Sequence, residues 1–144
     1  MKKTKANYLL ILMPLVYMAT AVLVVWLVGN NGTYPSGSDT MYHVYRGDFV
    51  YNSIKAGNWY PLYDSMWYNG VELLRYWAPL PAYFMAFCQF AAGGSQFGGY
   101  LIFVGLVCLY GAIPWLFIGR SMGRPYLGAF VGLLWFFMPN NLLA

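Results

Sequence analysis

Two uncharged stretches exclude almost every fold for this chain except a helical one in a membrane. Tyr8 to Val28 and Phe97 to Gly119 contain no charged residue, and each matches the ~20 apolar residues a helix needs to cross a hydrocarbon core of about 30 Å. Hydrocarbon offers no partner to backbone N–H and C=O groups, so a lipid-exposed crossing segment of this kind must bond them internally as helix. Composition agrees: 8% of residues are charged and 60% hydrophobic, with a mean hydropathy of +0.52, whereas a soluble domain carries about a quarter charged residues. The expectation is an all-α integral membrane protein with about three transmembrane helices and juxtamembrane interfacial helices in a large first outer loop.

The few charges set the expected topology. Lys2, Lys3 and Lys5 precede the first run, and Arg120 and Arg124 follow the second. Such clusters read as positive-inside signals and lipid headgroup contacts before nucleic-acid binding, and no nucleic-acid partner is expected. The first run is too long for a signal peptide and lacks a small-x-small cleavage site, so it is expected to remain as a signal anchor with a cytoplasmic N-terminus. The assigned order is a first span over 8–28, an outer loop over 29–96, a second span over 97–119, a cytoplasmic turn over 120–125 and a third span over 126–144. Two placements exist for the apolar segment 78–92. If it spans, Arg120 and Arg124 fall outside; if it lies in the interface, they fall inside with the lysines, and both the charge rule and its length favour the interface. Cys88 and Cys108 both lie in apolar segments, which argues against a disulfide framework or a zinc site.

Within the outer loop, the stretch SGSDTMYHVYR from Ser36 to Arg46 carries the most chemistry. Ser38 has the side chain of a helix N-cap, which would set Asp39 in the first turn of a helix over about 38–56, at the positive end of its dipole. Asp39, His43 and Arg46 then fall at i, i+4 and i+7 and share one face. An acid, an imidazole and a cation suited to phosphate oxygens form a site-like set, although a dipole-favoured Asp on a solvated helix face accounts for the same residues. The charged pair Asp48 and Lys55 is expected roughly opposite Asp39. From Asn58 to Tyr76 the chain reads as irregular and rich in aromatic residues, which suit either the membrane interface or stacking on sugar rings. Asp64 and Glu72 are expected to remain solvated, and Arg75 serves equally as a substrate clamp or an interfacial anchor.

No Gly-rich phosphate loop, Ser-His-Asp elbow, CxxC or metal-ligand spacing is present in the sequence. Glycosyl transfer from a phosphate donor needs a carboxylate to accept the proton of the attacking hydroxyl, and cations or a divalent metal at the departing phosphate. The outer loop contains residue types for those tasks. The competing class is a non-catalytic membrane subunit or scaffold that binds a partner membrane protein. A transporter fragment is the weakest of the three classes, since the spans hold no ionisable residue to mark a pathway.

A basic N-terminus, one span, a loop opening with Asp39, the Pro-x-Pro segment Trp77-Ala78-Pro79-Leu80-Pro81-Ala82-Tyr83, a span ending in Gly119-Arg120-Ser121-Met122-Gly123-Arg124 and a further span ending at Pro139 occur in that order. Together they resemble the N-terminal third of a GT-C fold membrane glycosyltransferase, most closely the bacterial and archaeal "6-pyruvoyl-tetrahydropterin synthase-related" membrane proteins. The resemblance implies that Asp39 is a general base or metal contact; the loop acid and the topology add the expectation of His43, Arg46 and Arg75 at the phosphate, and of Mg²⁺ or Mn²⁺ as the metal if one is used. The resemblance also implies a polyprenyl-phosphate-linked sugar donor, membrane lipid as partner, and transfer on the outer face. The family's second acidic site and its later helices have no counterpart here. This stretch is therefore expected to act as a module that needs the remainder of the fold or another membrane protein, and to be inactive alone.

Overall fold

Helix dominates the computed structural model, which describes residues 2–35, 39–67 and 69–138, with side chains from Tyr8 onward. Among the described residues five helices follow in order: α1 (Lys2–Gly29), α2 (Thr40–Lys55), α3 (Pro79–Ala91), α4 (Gln96–Ser121) and α5 (Pro125–Phe136). Among the described residues no strand forms, only an isolated antiparallel bridge between Asp64 and Val71. At about 1.5 Å per residue, the 28 residues of α1 and the 26 of α4 each exceed the thickness of a hydrocarbon core. These two helices are long and apolar enough to cross a membrane. The 12 residues of α5 reach only about 18 Å, short of a crossing, and the expected third-span end at Pro139-Asn140-Asn141 lies outside the described residues.

The chain divides into two units, one comprising residues 1–35 with 104–144 and the other residues 36–103. In the first, α1 packs against α5, and the core is formed by Met13, Tyr17, Ala21 and Val24 of α1, Cys108, Ala112 and Leu116 of α4, and Ala129 and Phe136 of α5. Tyr17 is fully buried. Its hydroxyl donates to the Ala129 carbonyl at 2.8 Å, so a polar group inside an apolar bundle finds a partner on a facing helix. Ile11, Leu12, Leu15, Met18, Val22 and Trp26 leave the other side of α1 exposed. An apolar face of that extent needs a cover other than water, which suits lipid.

In the second unit α2 packs against α3. Val50, Tyr51 and Ile54 of α2 meet Ala82 and Ala86 of α3, with Leu74 closing the cluster. Complete burial of a Val such as Val50 contributes about 1.5–3 kcal/mol. The helices approach closely at Gly47, where a Cβ would come within 2.8–2.9 Å of the Met85 side chain. Asp48, expected roughly opposite Asp39 on α2, accepts a hydrogen bond from Gln89 Nε2 of α3 at 2.8 Å. α2 stops where Gly57 adopts φ +84°, a conformation that a Cβ disfavours.

The start of α2 departs from expectation by one residue. Asp39 occupies the N-cap position and its side chain makes no capping hydrogen bond, rather than lying in the first turn behind a Ser38 cap; Ser38 itself falls outside the described residues. The carboxylate is therefore not consumed in closing the helix end.

Candidate functional site

A cleft of about 630 Å³ opens within the 36–103 unit, lined chiefly by Asp39, Tyr42, Tyr45, Trp67, Trp77 and Gln96. Its α2 wall follows from helical geometry. Asp39, Tyr42 and Tyr45 stand at i, i+3 and i+6, one turn apart on one face. The anticipated Asp39–His43–Arg46 stripe does not form as a single exposed face. Asp39 and His43 are exposed, whereas Arg46 is only 4% exposed. His43 is absent from the cleft wall, and its ring lies 6.4 Å from that of Tyr42.

Arg46 takes up a different role from a solvated cation. Long helical side chains lean back over the preceding turn, and its guanidinium carbon sits 3.7 Å from the centre of the Tyr42 ring, one turn earlier, and 4.1 Å from that of Trp77. The two rings stand edge to face, 5.9 Å apart. Arg46 Nε and Nη2 are buried without a hydrogen-bond partner among the described residues. Stacking on aromatic faces is worth about 2 kcal/mol or more per ring when desolvated. Removing a charged group from water costs several kcal/mol, and ring faces satisfy neither of the unpartnered N–H groups at Nε and Nη2.

The aromatic wall continues through Trp67, whose ring lies 5.0 Å from Tyr42 and 4.4 Å from Tyr45. Behind it is a carboxylate that the sequence did not single out. Asp64, expected in solvent, is 4% exposed. It accepts hydrogen bonds from the Tyr45 hydroxyl and, at 2.9 Å, from the Met66 backbone N–H. Its own backbone is fixed by the paired hydrogen bonds to Val71, both 2.9 Å. Burial, reinforced by the bond to Asp64 and the charges of Asp64 and Asp48, pushes the Tyr45 phenol up to about 12. Tyr45 thus remains neutral at physiological pH. With its proton committed to Asp64, its oxygen is left as an acceptor.

Arg75 stands apart from this group. It pairs with Glu72 at 2.5 Å on an exposed part of the loop, and that bond is the leading cause of its raised pKa. It is not among the residues lining the cleft. Among the described residues no three His, Cys, Asp or Glu side chains converge as a metal site, and Asp39 is the only carboxylate on the cleft wall. A cation such as Mg²⁺ keeps several waters and binds one or two carboxylates together with substrate phosphates. The described residues therefore build no metal cage of their own, and Asp39 is the cleft carboxylate that would contact such an ion beside a bound phosphate.

Residues 74–144, just under half of the chain, match a family described as "6-pyruvoyl-tetrahydropterin synthase related domain; membrane protein". No curated protein and no solved structure matches the chain. The similarity to a membrane-protein family and the two long apolar helices both indicate a membrane location.

Proposed function

We propose that this chain is a GT-C-like module of a membrane glycosyltransferase that moves a sugar from a polyprenyl-phosphate-linked donor on the outer face of the membrane. The observation that carries this is Asp39: an exposed carboxylate, free of any cap bond, at the edge of an open cleft with aromatic walls. Aromatic faces suit the apolar faces of a sugar ring, and the Tyr45 oxygen accepts a hydrogen bond from a ring hydroxyl. In the proposed step Asp39 takes the proton of the acceptor hydroxyl as that oxygen attacks the anomeric carbon, and the bond to the donor phosphate breaks with its electron pair on the phosphate oxygen. Arg46 is the proposed cationic group for the departing phosphate. His43, off the cleft wall, and Arg75, held by Glu72, are the weaker members of that set.

The test is sugar transfer in membranes from cells expressing the chain together with the remainder of the fold or the membrane protein that completes it. Asp39→Asn keeps the shape of the side chain and removes its basicity, and a general base contributes roughly 10²–10⁴-fold. Transfer is expected to fall by that order; an unchanged rate would exclude the assigned role. The alternative, a non-catalytic subunit that binds a partner membrane protein, draws on the exposed loop residues Trp59, Tyr60, Leu62, Tyr63 and Met66. It predicts a stoichiometric partner on purification together with indifference to Asp39→Asn.

A further inference from the structure

The unpaired Arg46 guanidinium carries an inference beyond the chemistry of Asp39. The sequence has four acidic side chains, and none of them neutralises it. Asp48 accepts from Asn52 Nδ2 at 3.0 Å and from Gln89, Asp64 accepts from Tyr45 and Met66, Glu72 pairs with Arg75, and Asp39 forms no ion pair among the described residues. Buried charges in stable proteins are paired, so the counter-ion for Arg46 is not one of this chain's acidic side chains. The two unpartnered donors, Nε and Nη2, share one edge of the planar guanidinium. That edge is the two-pronged donor that fits a pair of oxygens on one anion. Of the two rings over the guanidinium, Tyr42 belongs to α2 and is half-buried, whereas Trp77 lies in the loop just before α3 and is 52% exposed. Trp77, half exposed and outside the helices, is therefore the ring better placed to move aside, whereas Tyr42 is fixed in α2.

We propose that Arg46, which lies against the Tyr42 and Trp77 rings rather than on the cleft wall itself, is an anion seat beneath that wall and Trp77 its cover, so that a phosphate group takes the Nε–Nη2 edge as the Trp77 ring moves off the guanidinium. The assignment of phosphate, rather than another two-oxygen anion, rests on the glycosyltransferase reading; the seat and its cover do not. The guanidinium is then kept uncompensated in the empty protein and neutralised only on binding. Arg46 contributes to affinity at the expense of stability.

Binding of dodecyl phosphate and of inorganic phosphate to the detergent-solubilised full chain tests this, with the melting temperature of the unliganded protein measured in parallel. Arg46→Met preserves a long side chain between the rings and removes the charge. It is expected to weaken phosphate binding by about 10- to 100-fold, the worth of charged hydrogen bonds, and to raise the melting temperature. Trp77→Ala is expected to tighten phosphate binding, because no cover has to be displaced. Dodecyl phosphate binding far more tightly than inorganic phosphate assigns the seat to a lipid-linked phosphate, and comparable affinities assign it to a soluble one. Unchanged phosphate binding in Arg46→Met, or a lowered melting temperature in that variant, overturns the seat. Weaker binding in Trp77→Ala makes Trp77 a wall and overturns the cover. If phosphate binds through Arg46 while Asp39→Asn transfers sugar normally, the glycosyltransferase proposal fails and the anion seat stands.

Discussion

Replacing Tyr45 by Phe tests how the cleft wall is held together. The change deletes one oxygen from a ring that packs 4.4 Å from Trp67, so the aromatic contact survives. Asp64, 4% exposed, loses one of its two hydrogen-bond donors and keeps the Met66 N–H. A hydrogen bond to a charged group is worth about 1.5–3 kcal/mol, and a buried acceptor left short of donors costs on the same scale. Tyr45→Phe should therefore destabilise the protein by roughly 2 kcal/mol at neutral pH, as read by denaturant unfolding in detergent. Asp64→Asn should cost a comparable amount. The double variant should cost less than the sum of the two, because both single changes break the same bond. The dependence on pH has a defined sign. The Tyr45 phenol goes from an ordinary 10.0 to about 12 in the folded protein, so between these values the unfolded chain loses a proton that the folded chain keeps. This contribution to stability is complete below pH 10 and is lost as pH rises towards 12. In Tyr45→Phe that loss is absent, and the gap between wild type and variant should narrow across the window. A single-variant cost under about 0.5 kcal/mol, within the range of inconsequential surface changes, or a gap that does not depend on pH, would refute the Tyr45–Asp64 link.

Two further outcomes are expected. Gly47→Ala should cost about 1–3 kcal/mol by overpacking, since its new Cβ would lie within 2.8–2.9 Å of Met85; adding Met85→Ala should recover part of the loss in a thermal melt, and failure to recover would place the strain elsewhere. With Cys88 and Cys108 replaced, a single Cys at Ser95 should be labelled from outside intact cells and one at Ser121 protected, if 78–92 lies in the interface. The reverse pattern would mean that this segment crosses the membrane.

Much of the architecture was legible without coordinates because lipid permits few backbone solutions. The uncharged runs that became α1 and α4 could only be helices, and Pro79 and Pro81 announced the first turn of α3 because a proline lacks an N–H where the helix has no use for one. Asp39 was legible as a candidate because it is one of only four acids. Arg46 was found for its charge, but its setting was not visible. Spacing alone put it on a face with His43, whereas burial against Trp77, far along the chain, turned it inward.

By itself, then, the sequence determined the helical class, the two long apolar helices and the short list of charged residues able to do chemistry. Those properties depend on local composition and on the absence of hydrogen-bond partners in hydrocarbon. Tertiary structure alone decided which face of α2 became a wall. It selected Asp39, Tyr42 and Tyr45 and left His43 outside. It buried Asp64 behind Tyr45, and it set Arg46 beneath two rings without a counter-ion. Each outcome depends on contacts between residues distant in sequence, and burial can turn an ordinary surface charge into an uncompensated one only when such contacts close over it.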